Sequence, residues 1–414
     1  MSSPSNRIVT DSLVYYFDTA NAKSYKSEPV TNILTDITPR AGGPYNDGNY
    51  IATQGYEPVY IPTLNRTFNS AYVYLYNNYS VTGNCCPSLF GYGVGNTVNV
   101  TGSTTYTYSI IFNCQSGYTN ANYMYHYEYG NSGYITEYGL YDSSKQISLG
   151  SGWYYAWNTF TTNSAATVLY CGLWYYQYGV HDKVSVANIS LVKGTYIPTP
   201  DRMLLPGQSY SVTQGLVDLT GNNTLDLTNA GYDNNGNITY NGSNNCIIAA
   251  ESSALNNQNI TVEVWIKTNA LSQNGFFFEK GNVNTQYSLF QEGGNIVWRQ
   301  NLSGGTGTNA SSFSSMTVTT ANYISTSNWA HIVGTYVSGS RCLYINGTLV
   351  ATDSTTGQIQ YNTNGTSVGV YGGYNGGRGY YYNGQIGVVR VYGKVLTATE
   401  VTQNFNAQRA RYGV

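Results

Sequence analysis

The sequence predicts an all-β protein made of two β-sandwich jelly-roll domains, one inserted into the other, with one short C-terminal helix. Charged residues make up only 9% of the 414 residues, against roughly 25% in ordinary soluble domains, so helices with charged outer faces are not expected. The chain is also rich in Tyr and Gly, with 44 and 46 residues, a composition that favours strands joined by turns. Its length is sufficient for two domains with separate cores.

The same composition limits the classes of partner. The net charge is −2 without blocks of either sign, so binding to nucleic acid is not expected. No apolar run approaches the roughly 18 residues that a membrane span requires, so membrane insertion is not expected. The six Cys include no C-x-x-C pair and the chain has three His, so a zinc site of the usual spacing is not expected either.

A β-hairpin is the clearest local signal in the C-terminal part. Asn346-Gly347 separates two short apolar segments, Cys342–Ile345 and Thr348–Ala351. This dipeptide between such segments predicts a two-residue turn of type I′, because both of its residues readily adopt a positive φ.

A helix is predicted close to the C-terminus. Thr397 and Glu400 have the spacing of a capping box, and Leu396 and Val401 are placed as its hydrophobic staple. Val401 and Phe405 then lie four positions apart, on one face of a helix of about three turns.

The hairpin and the helix, together with residues 258–269 (QNITVEVWIKTN), resemble the concanavalin A-like, laminin-G-type jelly roll. This two-sheet sandwich is best known for glycan binding. Residues 8–18 (IVTDSLVYYFD) resemble the opening strand of phage-encoded members of the family, whereas their next turn has its counterpart only at residues 216–223 (LVDLTGNN). The resemblance implies one jelly roll made of residues 1–27 and 208–414, with another domain inserted into an early loop.

The insert, residues 28–194, has strand patterns of its own. Its end, residues 153–194, resembles the last strands of a galactose-binding-like sandwich of the carbohydrate-binding-module type, and residues 28–36 resemble its beginning. Residues 195–207 contain three Pro and predict the return linker. The predicted strands of the insert are Ala71–Tyr76, Tyr106–Phe112, Tyr123–Tyr129 and Val168–Tyr176.

The acidic residues do not form a catalytic pattern. Glucan-hydrolysing relatives of the concanavalin A-like fold carry E-x-D-x-x-E on one strand, which brings carboxylates close enough for retaining hydrolysis. That spacing is absent here, and Glu263 is expected to be a lone polar residue at a sheet edge. A G-x-S-x-G match at residues 365–369 lacks the following helix of a nucleophile elbow. We therefore predict that the protein is not an enzyme and has no catalytic residues.

Calcium is the metal that the resemblance implies, because such sandwiches hold it with carboxylates and carbonyls at loop ends. The relatives carry an Asp in the phrase that corresponds to residues 241–247, where this chain has none. Asp18, Asp218 and Glu251 are the remaining candidate ligands, and no other cofactor is expected.

Aromatic residues are the candidates for ligand binding. A phenol ring can stack on the apolar face of a sugar while its hydroxyl forms hydrogen bonds, and the same ring suits protein interfaces and sheet cores. Because side chains alternate along a strand, Tyr123, Tyr125, Tyr127 and Tyr129 are expected on one sheet face, which is either core or exposed. The candidates for glycan binding are Trp153, Tyr155, Trp174, Tyr176, Tyr371, Tyr374, Arg378, Tyr380 and Tyr381.

The expected function is that of a virion surface protein, a phage-like capsid or tail decoration whose sandwich domains adhere to host or environmental polysaccharide. The composition is typical of extracellular proteins, whereas the first residues lack the basic and apolar regions of a secretory signal. Other virion proteins are the expected partners, with a homo-oligomer on the particle. The alternatives are a secreted or cell-surface lectin-like protein and an inert sandwich used only for protein–protein packing.

Overall fold

The computed structural model confirms the all-β class with one C-terminal helix, with 50% of residues in strands and 9% helical. It describes residues 7–27, 29–34, 50–77, 88–89, 97–114, 124–139, 143–174, 182–233, 237–281, 285–303, 313–372 and 378–414. The chain forms two compact units: unit 1 comprises residues 1–29, 210–233 and 237–414, and unit 2 comprises residues 30–209 and 234–236. The assignment of residues 1–27 with 208–414 and of residues 28–194 to two domain families stays a prediction.

The described residues form 26 strands and one α-helix. In chain order these are β1 (Leu13–Asp18), β2 (Tyr50–Ile61), β3 (Arg66–Asn77), β4 (Ser88–Leu89), β5 (Thr97–Asn99), β6 (Thr105–Cys114), β7 (Met124–Gly130), β8 (Gly133–Gly139), β9 (Gln146–Gly150), β10 (Trp153–Thr161), β11 (Val168–Trp174), β12 (Asp182–Lys193), β13 (Leu225–Asp226), β14 (Gly231–Tyr232), β15 (Ile238–Asn241), β16 (Ile247–Ala249), β17 (Ile260–Thr268), β18 (Gly275–Lys280), β19 (Tyr287–Glu292), β20 (Asn295–Asn301), β21 (Phe313–Thr319), β22 (Ala330–Val337), β23 (Ser340–Ile345), β24 (Thr348–Asp353), β25 (Thr366–Val368), β26 (Asn383–Tyr392) and α1 (Ala398–Tyr412).

Unit 1 contains two antiparallel sheets. The first has the order β14-β15-β26-β17-β22-β23-β24, with β1 also paired to β26, and the second has the order β13-β16-β25-β18-β19-β20-β21. Side chains from both sheets share one apolar core, among them Val262 and Val264 of β17 and Leu289 and Trp298 of β19 and β20. Because β17 has neighbours on both sides, its backbone is paired along its whole length.

The first strand joins this sandwich, as the resemblance of residues 8–18 to an opening strand implies. Tyr15 and Phe17 of β1 are buried in the core of unit 1. The carboxylate of Asp218 accepts a hydrogen bond from the backbone N–H of Tyr16 at 2.9 Å. This bond ties the first strand to the LVDLTGNN turn, although the two lie about 200 residues apart in the sequence.

The predicted hairpin is confirmed. Asn346 and Gly347 have φ values of 50° and 78°, as a type I′ turn requires, and they connect β23 to β24. A Cβ added to Gly347 would lie 3.0 Å from the ring of Phe405. The close approach of α1 to the turn therefore adds to the conformational reason for Gly at this position.

The predicted start of α1 is also confirmed. The Thr397 side chain accepts a hydrogen bond from the Glu400 N–H at 3.2 Å, and the Glu400 carboxylate accepts one from the Thr397 N–H at 2.8 Å. Leu396 and Val401 are buried in one apolar cluster, as a hydrophobic staple requires.

The helix is about one turn longer than predicted, with 15 residues. Its last turn is held by packing, since the ring of Tyr412 stacks on Trp265 with 4.2 Å between ring centroids. The helix ends at Gly413, which has the left-handed conformation with φ 70°.

Thr397→Ala is expected to lower the free energy of unfolding by about 1 kcal/mol, because it removes the acceptor of the capping box. The measurement is urea unfolding of the full chain. Thr397→Ser keeps the hydroxyl and is expected to behave like the parent. Equal stability of the Ala and Ser variants would contradict a role for this cap.

Unit 2 also contains two antiparallel sheets. One has the order β2-β3-β12-β6-β10-β9, and the other has the order β4-β11-β7-β8, with β5 paired to β11. The four strands predicted for this region correspond to β3, β6, β7 and β11. Between the sheets lies a core that includes Ile110 and Phe112 of β6 and Leu169 and Cys171 of β11.

The six-stranded sheet of unit 2 is covered on its second face as well. There Ile111, Trp153 and Tyr155 pack in a second apolar cluster with Met203. The Tyr155 hydroxyl donates a hydrogen bond of 2.5 Å to the carbonyl of Pro198. The segment predicted as a linker, residues 195–207, therefore packs as part of unit 2.

No helix in the described ranges is both long enough and apolar enough to cross a membrane.

Candidate ligand-binding site

The candidate site lies on the outer face of the second sheet of unit 1. In β19 and β20, Leu289 and Trp298 point into the core. Since side chains alternate along a strand, their neighbours Phe290 and Arg299 point to the opposite face. Val297 lies beside Phe290 on that face, because the two residues are cross-strand partners.

A β-bulge adds Phe276 to this face. Phe277 and Phe278 are both buried in the core of unit 1, which strict alternation does not allow. The register shift between Phe276 and Phe278 resolves this, because a bulge places two consecutive side chains on one side. Phe276 faces outwards and stacks on Phe290, with 4.3 Å between centroids and 7° between ring planes.

Two tyrosines from the segment before β26 complete the site. The backbone of Tyr371 forms two hydrogen bonds with Gly379, of 3.0 and 3.2 Å, and the N–H of Phe276 donates to the carbonyl of Tyr380. The Tyr371 ring lies 5.1 Å from Phe276 and 6.0 Å from the Tyr380 ring. Tyr380 is 55% exposed. We refer to Phe276, Phe290, Arg299, Tyr371 and Tyr380 as the aromatic site.

Arg299 supplies the positive charge of the aromatic site. Its guanidinium carbon lies 4.5 Å from the centroid of the Phe290 ring and 5.4 Å from that of Phe313. One of its nitrogens lies 3.3 Å from a carboxylate oxygen of Glu292. The two rings and this ion pair hold the guanidinium in place, and its side chain remains 19% exposed.

Glu279 connects the sheet to the base of the Tyr371 segment. One of its carboxylate oxygens accepts hydrogen bonds from the N–H of Gly372 at 2.7 Å and the hydroxyl of Ser367 at 3.2 Å. The other accepts a bond of 2.6 Å from Thr285. Burial raises the pKa of Glu279 to about 8, and the hydrogen bonds oppose this rise only in part. Ser367 itself lies within β25 and not at a strand-to-helix turn.

This arrangement fits a ligand with both apolar and hydrogen-bonding surfaces. Phe276 and Phe290 are buried, so they form a base that fixes the Tyr371 ring. Tyr371 and Tyr380 can present ring faces and hydroxyls, and Arg299 can present N–H donors. An aromatic ring beside such donors suits a sugar, whose C–H face is apolar and whose hydroxyls accept hydrogen bonds.

The predicted candidates in this region fall into three groups. Tyr371 and Tyr380 belong to the aromatic site. Tyr381 and Arg378 are half-buried, and the charge of Arg378 partly opposes the rise that burial causes in the pKa of the Cys246 thiol. Tyr374 lies outside the described residues.

The structure gives no support to the prediction that Trp153 and Tyr155 bind a glycan, since it buries both side chains. Their exposed fractions are 6% and 2%, because Met203 and its neighbours cover the sheet face on which these two side chains lie. Trp174 and Tyr176 are the other two candidates in this region. Their side chains lie outside the part of the chain that the structure describes.

Sequence reasoning missed three members of the aromatic site: Phe276, Phe290 and Arg299. The alternation in β19 and β20 carried a signal for Phe290 and Arg299, since each stands next to a core residue. For Phe276 the sequence offered only three consecutive Phe, and the bulge decides which of them faces outwards.

The prediction that Glu263 faces a sheet edge is wrong. It lies on the central strand β17, where α1 covers the outer face, and it is completely buried. Its carboxylate lies 2.5 Å from an Arg390 nitrogen, 3.0 Å from His331 Nε2 and 2.7 Å from Asn404 Nδ2. Burial alone would raise the pKa of Glu263, but the charge of Arg390 and the hydrogen bonds lower it to about 2. Glu263 is thus part of a buried charged network.

The three candidate calcium ligands are engaged by protein groups. Asp18 pairs with Arg411 at 2.9 Å, and Glu251 lies 3.8 Å from Lys280. Asp218 accepts hydrogen bonds within its own turn, including one from the Thr220 hydroxyl. Among the described residues, no group of three or more His, Cys, Asp or Glu could hold a metal ion.

Solved structures with similarity to the chain include binding domains of botulinum neurotoxins. The serotype D and serotype G domains give TM-scores of 0.38 with 19% and 18% sequence identity, and the similarity covers 48% of this chain in both. A type DC domain in complex with rat synaptotagmin II gives a TM-score of 0.36 with 14% identity over 46% of this chain. The chain spans about half the length of these proteins, 48–50%. A similarity of this size carries no argument about function.

No curated protein sequence matches the chain. A family model does match part of it. The family match covers much of unit 1, including β17 to β26 and the aromatic site. Residues 241–402 match the concanavalin A-like lectin/glucanases superfamily.

Proposed function

We propose that this is a non-enzymatic adhesion protein that binds carbohydrate at the aromatic site of unit 1. The observation that carries the proposal is a Tyr371 ring held on the stacked Phe276–Phe290 pair, beside the guanidinium of Arg299. A ring fixed in this way loses little conformational freedom on binding, which favours affinity. The match of residues 241–402 to a lectin/glucanases superfamily supports the same class of ligand.

Non-enzymatic binding is proposed because the acidic groups of the region are committed to the fold. Glu279 accepts three hydrogen bonds from protein groups beneath the site. Glu263 is enclosed by Arg390, His331 and Asn404. A retaining hydrolase needs two carboxyl groups about 5 Å apart on either side of its substrate, and neither of these residues is presented in that way.

The experiment is binding of the full-length chain to a broad microbial glycan array, with and without EDTA. We expect saturable binding to a defined group of glycans. Loss of binding in EDTA would indicate that calcium is required. Unchanged binding would agree with the structure, in which the candidate calcium ligands Asp18, Asp218 and Glu251 are engaged by protein groups. A blank array with folded protein would overturn the proposal in favour of a sandwich used only for packing.

Tyr371→Ala is expected to weaken binding to the glycan found on the array by about 10-fold or more, since truncating an aromatic anchor of a binding site typically costs on the order of 1–2 kcal/mol. Isothermal titration calorimetry measures the change. Tyr323→Ala is the matched control, because Tyr323 is an exposed tyrosine of the same unit, outside the aromatic site. If both variants bind like the parent, the aromatic site is not the binding site.

We further propose that adhesion takes place on the surface of a virion, as a capsid or tail decoration, with a secreted or cell-surface lectin as the second candidate. The low charge and high Tyr content support an extracellular location. Immunogold labelling of virus particles from cultures that express the gene is expected to mark the particle surface. Label confined to the culture medium or the cell surface would favour the lectin.

A further inference from the structure

The five-stranded sheet of unit 2 carries a second group of aromatic side chains on its outer face. In β7, His126 and Glu128 are buried, and they pair across the strands with Cys171 and Leu169, two residues of the core of unit 2. Because side chains alternate along β7, Tyr127 and Tyr129 point away from that core.

Four tyrosines meet on this outer face. Tyr127 and Tyr170 are cross-strand partners, and the rings of Tyr129 and Tyr170 lie 4.9 Å apart. Tyr134 of β8 lies 5.7 Å from Tyr129 and 6.3 Å from Tyr127. Tyr134 is 55% exposed, whereas Tyr127 is only 5% exposed and forms the base of the group. We refer to Tyr127, Tyr129, Tyr134 and Tyr170 as the tyrosine platform.

The layer of side chains beneath the tyrosine platform is held by an aromatic stack and by buried hydrogen bonds. The His126 ring stacks on Phe160, with 3.9 Å between centroids and 17° between ring planes. One nitrogen of His126 lies 3.2 Å from the Glu128 carboxylate, which also accepts a hydrogen bond of 2.7 Å from the N–H of Asn163. Burial lowers the pKa of His126 to about 4, so its ring stays neutral near pH 7. These contacts hold β7 against the core.

An open cavity of about 590 Å³ adjoins the platform and shares Tyr134 with it. This is within the range of roughly 300–1,000 Å³ that is typical of small-molecule sites. Thr101, Asn131, Ser132 and Ser164 contribute polar side chains to its walls, and Ile135 contributes apolar surface. None of the described residues that line the cavity carries a charge.

We propose that the tyrosine platform and this cavity form a second binding site, for a neutral polysaccharide. Ring faces at the platform would contact the C–H faces of sugar units, and the uncharged polar walls of the cavity would exchange hydrogen bonds with sugar hydroxyls. The lack of charge in the walls favours neutral sugars, since a carboxylate or sulfate brought there would lose water without gaining a cation. The aromatic site of unit 1 differs in this respect because it contains Arg299.

The test is affinity electrophoresis of the full-length chain through gels that contain laminarin, xyloglucan, galactomannan or dextran, with alginate and hyaluronan as the anionic probes. We expect at least one neutral polysaccharide to retard the protein more than the anionic ones do. Tyr134→Ala is expected to weaken that binding by about 10-fold, the effect of truncating one aromatic anchor of a binding site. Tyr371→Ala is expected to leave it unchanged, which separates this site from the aromatic site of unit 1.

Two control variants show whether a loss of binding comes from the site itself or from a loss of folding. Tyr134→Phe retains the ring and is expected to keep most of the binding. Tyr56→Ala removes a tyrosine that is 52% exposed on β2, in the other sheet of unit 2, and is expected to bind like the parent. The proposal is overturned if no neutral polysaccharide retards the protein, or if Tyr134→Ala binds as well as the parent. It is also overturned if Tyr134→Ala instead changes the oligomeric mass in light scattering, because the platform would then join copies of this chain.

Discussion

Glu263→Ala is expected to lower the free energy of unfolding of unit 1 by about 3–5 kcal/mol, the range found when one partner of a buried ion pair is removed. The guanidinium of Arg390 is completely buried and lies 2.5 Å from the Glu263 carboxylate. Without that carboxylate, Arg390 keeps its charge in the interior with no opposite charge beside it. The side chain of Asn404, which anchors α1 to β17, also loses one of its two acceptors and keeps only the hydroxyl of Tyr392. We expect α1 to loosen first.

The measurement is hydrogen exchange of β17 and α1 peptides at increasing urea concentrations, which follows unit 1 separately from unit 2. The matched variant is Glu263→Met combined with Arg390→Met, which removes both charges and fills the space with apolar groups. Such replacements of whole buried pairs are often neutral, so the double variant is expected to recover most of the lost stability. If Glu263→Ala is as stable as the parent, the buried pair does not support the fold.

The same network predicts a loss of stability in acid. The folded-state pKa of Glu263, about 2, lies below its ordinary value of 4.5. A lowered pKa stabilises the folded state above the unfolded-state pKa, and this contribution is lost as the pH falls through the folded-state value. The stability difference between the parent and Glu263→Ala is therefore expected to shrink from pH 5 towards pH 2.

Local chemistry made the hairpin and the helix predictable. Asn346-Gly347 supplies both positive φ values that its turn needs, and the capping box of α1 uses only Thr397 and Glu400, three residues apart. In both, the deciding contacts lie within a few residues of sequence. The opening strand β1 follows a similar local rule, since Tyr15 and Phe17 stand two positions apart and need only a core on one side.

Contacts between distant segments explain what the sequence did not reveal. Trp153 and Tyr155 stand on a strand whose two faces look alike in sequence, and the distant Met203 covers one of them. Glu263 looks like a polar residue at the surface of a strand, but Arg390 and Asn404 come from segments more than 120 residues away.

The candidate site was predictable only in part for the same reason. Tyr371 and Tyr380 were found because they belong to a Gly- and Tyr-rich segment that stands out in the sequence. The Phe276–Phe290 stack depends on a bulge and on a pairing between β18 and β19. Neither leaves a local pattern, so the base of the site became evident only from the fold.

Glu279→Gln is expected to stabilise unit 1 relative to the parent as the pH rises from 4.5 to 8. Burial raises the pKa of the Glu279 carboxyl from 4.5 to about 8, so the folded state keeps a proton that the unfolded chain releases. A raised pKa makes the parent lose stability over this interval, by about 1.4 kcal/mol for each pH unit and at most about 5 kcal/mol in all. Gln carries no proton to lose, so its stability should change less with pH.

The measurement is the urea midpoint of unit 1 at pH 4.5, 6 and 8 for the parent, Glu279→Gln and a control. Glu292→Gln is the control, because that carboxylate lies on the same sheet but is 56% exposed, and its variant should follow the pH profile of the parent. If Glu279→Gln also runs parallel to the parent, Glu279 is ionised in the folded state and its three hydrogen bonds outweigh its burial. Because one of these bonds holds the N–H of Gly372 next to Tyr371, the result also decides whether the base of the aromatic site is held by a neutral or a charged group near pH 7.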